Sequence, residues 1–255
     1  MFYNRYRLFY DYRLNKPNGN FELKITPEQL IYQHTDAIVK VFPIFNQLPH
    51  RFKINYCKRI LKFLNQYHFI SKDNALVNSA VKISIAASYI KLTLGYNQFL
   101  INAFDKIIIY PTAKYFHHLD ETHTGHFNPK LKVIMFALDE FQHDISHNTD
   151  GKDIALHEFS HALCFEMLKS TATHPNATSF KKNFQLIKNW FNNSNNKTRL
   201  IQTNLIRSYA YTNLLELISV LIELFFEKEV EFKSLFPDLY QYVGKMIQHP
   251  KAKSI

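Results

Sequence analysis

Glycine and cysteine are scarce in this chain of 255 residues, which holds 5 of the former and 2 of the latter. With only 9 prolines beside so few glycines, it is neither a low-complexity linker nor a disordered segment. Cys57 and Cys164 are too few for a disulfide framework, which points to a reducing compartment and to the cytoplasm. Long apolar runs are missing too. The best stretch, Leu214 to Phe226, is interrupted by Glu216 and Glu223, and a membrane-spanning helix needs about eighteen uncharged apolar residues. The first residues, Met1 to Asn15, interleave Arg, Asp and Asn with aromatics and contain no apolar signal-peptide core. The expectation is a soluble chain with no membrane partner.

What is present suffices for one substantial core, or two lobes around a cleft: 46% of residues are hydrophobic and 15% aromatic. The net charge of +10 raises the question of nucleic acid. The basic residues are scattered, however, over Arg51, Lys53, Lys58, Arg59 and Lys62 and over Lys181, Lys182, Lys188 and Lys197. No zinc-finger spacing or RNA-binding aromatic strand accompanies them, so a solvated basic surface is the favoured reading.

Apolar periodicity predicts helices over about 48–67 and 77–94, the second followed by Gly95 as a stop. The runs Lys106–Tyr110 and Lys132–Leu138 read as buried strands. Between them, residues 111–130 hold turn formers and four histidines, and further helices are expected over roughly 153–169, 178–191, 213–227 and 235–247. Asn192–Asn196 reads as a polar loop between helices. Helices, then strands, then helices point to an α+β fold.

His157-Glu158-Phe159-Ser160-His161 is an HExxH motif within a segment free of Gly and Pro, with Asp150 or Asp153 near its start as a cap. Four helical residues advance about 400°, placing both imidazoles on one face roughly 6 Å apart, where they can converge on one Zn²⁺. Glu158 then lies beside the metal, in reach of its water. Zinc catalysis needs a third protein ligand. Downstream candidates are Glu166, His174, Glu216, Glu223 and Glu227, and the helix from Asn213 to Glu227 offers the better ones. The histidines at 117, 118, 123, 126, 143 and 147 lack metal-ligand spacing and read as solvent-facing.

Across residues 41–247 the chain resembles the Mlc titration factor A (MtfA) zinc peptidases, which are gluzincin-like and related in their catalytic core to anthrax lethal factor. The resemblance is carried by Phe42–Phe45, Ile109-Tyr110-Pro111, Asp150-Gly151 ahead of Leu156–Phe159, and Tyr209–Glu216. It continues through Ser219, Glu223–Glu227 and Phe236–Tyr240. It implies a mainly helical, zincin-like α+β fold with a small sheet next to the HExxH helix. It also implies one Zn²⁺ per chain on His157, His161 and Glu216. The Glu216 carboxylate has a rival structural reading, as the partner of Asn213 in a capping pair. The implied reaction is peptide hydrolysis by a zinc-activated water with Glu158 as general base and Tyr209 assisting the oxyanion, Tyr211 being the lesser alternative. Peptides or proteins would be the substrates, and the resemblance implies aminopeptidase-like action on small ones. Strand 132–138 is the candidate edge for pairing with an extended peptide. The alternative is a regulatory binding protein that sequesters a transcriptional repressor, with peptidase activity secondary. The expected organisation is an N-terminal extension over 1–40, a helical lobe over 41–105 and a zinc-binding core over 106–255, with 41–255 one compact domain. The chain departs from the family at Cys164, where an Asp is usual, at Leu214, where Pro is usual, and at Arg207-Ser208, where an acidic neighbour is usual.

Overall fold

The computed structural model describes residues 25–113, 124–147, 151–171 and 173–253. His117, His118, His123 and Asp150 lie outside the described residues. Helix α1 (Pro27–Val41) begins at a reciprocal cap: Gln29 N–H donates to the Thr26 hydroxyl and Thr26 N–H to the Gln29 side chain. All but its last residue belongs to the extension expected over 1–40, yet its Leu30 and Ile38 are buried, and the helix packs on α2 (His50–Gln66) and α3 (Ser79–Leu92). The described part of that extension is therefore integral to the core.

The sheet runs β1 (His68–Ser71), β2 (Lys106–Tyr110), β4 (Val133–Ala137), β3 (Gly125–Asn128) from one edge to the other. The first three pair in parallel, and β3 runs antiparallel to β4 in the register Gly125 with Phe136 and Phe127 with Ile134. Side chains alternate across β2, with Ile107 and Ile109 in the main core and Ile108 and Tyr110 on the opposite face. Strand 132–138, expected to be an edge, is interior, because 106–110 and 125–128 pair with its two sides. The edge beside the Ile154–Lys169 helix is β3, whose Gly, His and Asn carry little strand signal.

After α4 (Leu138–Asp144), helix α5 (Ile154–Lys169) runs through the centre, buried on nearly every side. Phe159 anchors it, its ring centroid 5.0–5.9 Å from those of Phe63, Tyr89, Phe104 and Phe136. Then follow α6 (Ala177–Asn192), α7 (Ser194–Gln202), a 3₁₀ turn (Ser208–Tyr211), α8 (Leu214–Glu227), α9 (Glu229–Leu235) and α10 (Pro237–Met246). The asparagine stretch read as a loop starts a helix: Asn193 accepts from the backbone N–H groups of Asn195 and Asn196 and so caps α7. Helix α8 packs along α5 and is almost as fully buried. The result is a mixed α+β, mainly helical architecture. No helix among the described residues is long and apolar enough to cross a membrane.

Candidate metal centre

The start of α5 is fixed by three carboxylates that satisfy its free backbone N–H groups. Asp153 accepts from Leu156 N–H at 2.9 Å, Asp144 from Ile154 N–H at 2.9 Å, and Glu223 from Asp153 N–H at 3.2 Å. Just before it, Gly151 has φ +83°, a conformation that favours glycine, and packs against Leu224 and Lys228 of the α8 end. The metal helix and α8 are thereby tied together at the point where the site forms.

From that base, His157 and His161 project one turn apart into a cleft of about 1740 Å³, and the first turn of α8 brings Glu216 to them. The two Nε2 atoms are 3.1 Å apart; Glu216 Oε2 is 3.2 Å from His157 Nε2, and Oε1 is 3.3 Å from His161 Nε2. Donors placed tetrahedrally about an ion at about 2.0–2.1 Å stand about 3.3 Å from one another. The two imidazoles and the carboxylate thus converge closely enough to hold one metal ion between them, each His facing its own Glu216 oxygen. Among the described residues this is the only group of three potential ligands. Asn213 caps α8 by accepting from Leu215 and Glu216 N–H at 2.9 and 3.0 Å, while the Glu216 carboxylate turns to the histidines.

The other candidates are placed elsewhere. Glu223, two turns after Glu216 on the same face of α8, is 1% exposed and bonds His157 Nδ1 from behind at 2.6 Å. Its second oxygen accepts from Arg207 at 2.5 Å. A carboxylate there fixes the ring orientation and holds a proton on Nδ1, so that Nε2 is the atom turned toward Glu216 and His161. Glu227, a further turn on, pairs with buried Lys91 at 2.9 Å, and His174 Nδ1 accepts from the Asn176 backbone. Cys164 is fully buried outside the cluster, and burial pushes its thiol up to about 12. His143 and His147 are exposed and stacked on each other. Neither Glu223's position behind His157 nor Arg207's grip on it was foreseen; the seven-residue interval from Glu216 was the available signal.

Charge in the cluster is strongly biased. Burial opposes a charged His157, yet its bonds to Glu216 and Glu223 outweigh that and raise its pKa to about 10. The bonds from His157 and His161 hold the Glu216 carboxyl well below the usual range. The site is therefore built to hold positive charge. Glu158 sits beside it, buried, and desolvation raises its pKa, with the two histidines pulling the other way. Gly125 makes room for it: a Cβ there would come within 2.8 Å of Glu158 Cγ. Tyr209 lines the same cleft, its ring 6.2 Å from that of His157 and 5.1 Å from the Arg207 guanidinium, and burial raises its hydroxyl pKa. Tyr211 instead stacks on Phe191 and does not line the cleft.

One wall of the cleft is the free edge of β3. Ala137 N–H donates to the Thr124 carbonyl at 2.8 Å, so Thr124, His126 and Asn128 turn their backbone groups to β4. Gly125 and Phe127 consequently turn theirs outward, and the Phe127 amide reaches the Glu158 carboxylate.

Comparison with known proteins agrees with this chemistry. The sequence model of the family described as "Glucose-regulated metallo-peptidase M90" matches residues 20–248. An uncharacterized protein of Synechocystis sp. is 25% identical over 220 residues, covering 80% of this chain and 78% of the relative.

Proposed function

Because the chain belongs to the glucose-regulated metallo-peptidase family, the one its sequence resembles, we propose that it hydrolyses peptide bonds at a single zinc ion held by His157, His161 and Glu216. The observation that carries this is the convergence of two imidazoles and one carboxylate, their nitrogen and oxygen atoms 3.1–3.3 Å apart, beside a buried Glu158. A zinc ion bound there supplies Lewis acidity toward the attacking water and the scissile carbonyl. Glu158 takes the proton from the water and returns it to the leaving amine, a task suited to a carboxylate whose pKa burial has raised. Tyr209, protonated and facing the same cleft, donates to the developing oxyanion. The outward backbone groups of Gly125 and the outward carbonyl of Phe127 hold the substrate as an added strand, while the Phe127 N–H stays on Glu158, which aligns the scissile bond with that carboxylate.

The test is cleavage profiling of a mixed peptide library by the zinc-loaded chain, with Glu158→Gln as the blank. Chelator-sensitive cleavage that Glu158→Gln abolishes while retaining its metal is the expected result. Equal turnover by the variant removes Glu158 as the base, and no cleavage by the wild type removes the peptidase reading.

A further inference from the structure

We propose that Phe165, Leu168 and Phe184 form a subsite that selects a bulky apolar side chain within two residues of the scissile bond. The proposal rests on the peptidase reading. Positions 157, 161, 165 and 168 of α5 are spaced four, four and three residues apart and so share one helical face. That face is what the cleft sees. Its first two side chains are ligand candidates and its next two are apolar, with no part in the chemistry assigned above.

All three side chains are half-buried: they pack on the core from one side and line the cleft from the other. Phe165 is also tied to the substrate edge, its ring edge-on to Phe127 of β3 at 5.7 Å. Lys169 closes the far end of the wall, its ammonium 3.9 Å over the Phe165 ring. Phe165 lies one turn, about 6 Å, beyond His161. An extended peptide rises about 3.3 Å per residue, so this wall stands about two residues from the reacting carbonyl. A strand added to β3 would be held by its backbone at Gly125 and at the Phe127 carbonyl and read through one side chain at the wall.

The experiment uses the full zinc-loaded chain and matched peptides that differ at one position near the cleavage site, carrying Phe, Leu, Ser or Asp. Phe and Leu peptides should be cleaved about 10–100-fold better, in kcat/KM, than Ser or Asp peptides. Phe165→Ala should cut the preference to a few-fold, and Leu168→Lys should turn it toward Asp. Binding of labelled peptides to the Glu158→Gln protein, read by fluorescence anisotropy, should show the same order without turnover. Cleavage with no apolar preference, or a preference unchanged in Leu168→Lys at wild-type melting temperature, overturns the subsite alone. Absence of chelator-sensitive cleavage of every peptide overturns the peptidase reading and the subsite with it.

Discussion

Replacing Glu223 by Gln probes the carboxylate that backs the metal ligands. Its Oε1 takes His157 Nδ1, while its Oε2 accepts from both Arg207 and the Asp153 backbone. All three partners are donors, which a carboxylate can satisfy together and an amide cannot. The Gln oxygen satisfies two donors at the Oε2 position but only one at Oε1, so the amide should place its NH₂ against His157. The imidazole must then accept at Nδ1 and carry its proton on Nε2, the atom that would bind the metal. Loss of such a backing carboxylate typically costs 10–100-fold in metal affinity, or about 1.4–2.7 kcal/mol. Zinc affinity of the purified chain, measured by competition with a chromophoric chelator, reads this directly. Arg207→Lys, which keeps the charge and loses the planar fork, should fall between wild type and Glu223→Gln. Affinity within twofold of wild type in Glu223→Gln would refute the orientation mechanism.

Elemental analysis should find about one zinc per chain, lost in His157→Ala and in His161→Ala; unchanged zinc in both would remove the site. Glu216→Gln should weaken zinc binding, since an amide is the poorer ligand, whereas Asn213→Ala should keep zinc and cost only about 1 kcal/mol in denaturant unfolding. Equal zinc content in both variants would reduce Glu216 to a structural role. His249 is buried against Phe225 and Phe226, and desolvation lowers its pKa to about 4. Its unfolded-state pKa is higher, so the unfolded chain binds the extra proton, and stability from this group falls as pH drops from 6.5 to about 4. The loss is roughly 3 kcal/mol. His249→Phe should flatten that part of the melting-temperature profile, and an identical profile would show that His249 does not contribute to it.

The two histidines and Glu158 were legible because an HExxH motif on a helix is local geometry: four residues bring two side chains to one face whatever the rest of the chain does. The long helices from residue 50 onward and strands 106–110 and 133–137 were legible for a similar reason, since their apolar patterns extend over enough residues to be distinctive, whereas helix Pro27–Val41 fell in a segment read as an extension. Strands 68–71 and 125–128 are four residues each and carry no such pattern; pairing with a neighbour makes them strands. A continuous apolar run such as 132–138 signals burial on both faces, which is why it belongs inside the sheet and the less apolar 125–128 forms the edge.

The sequence by itself determined that a metal-type helix and a second, glutamate-bearing helix existed. Its periodicity could not determine which glutamate reaches the histidines; only the family resemblance named Glu216. Glu216, Glu223 and Glu227 are separated by seven and four residues, nearly whole turns, so all three share a face of α8 and helical phase cannot tell them apart. Only the packing of α8 along α5 separates them by depth: Glu216 meets both Nε2 atoms, Glu223 meets Nδ1 of His157 from behind, and Glu227 meets Lys91. Periodicity specifies direction around a helix, while position along a partner is set by which buried side chains and charges from distant parts of the chain come into contact.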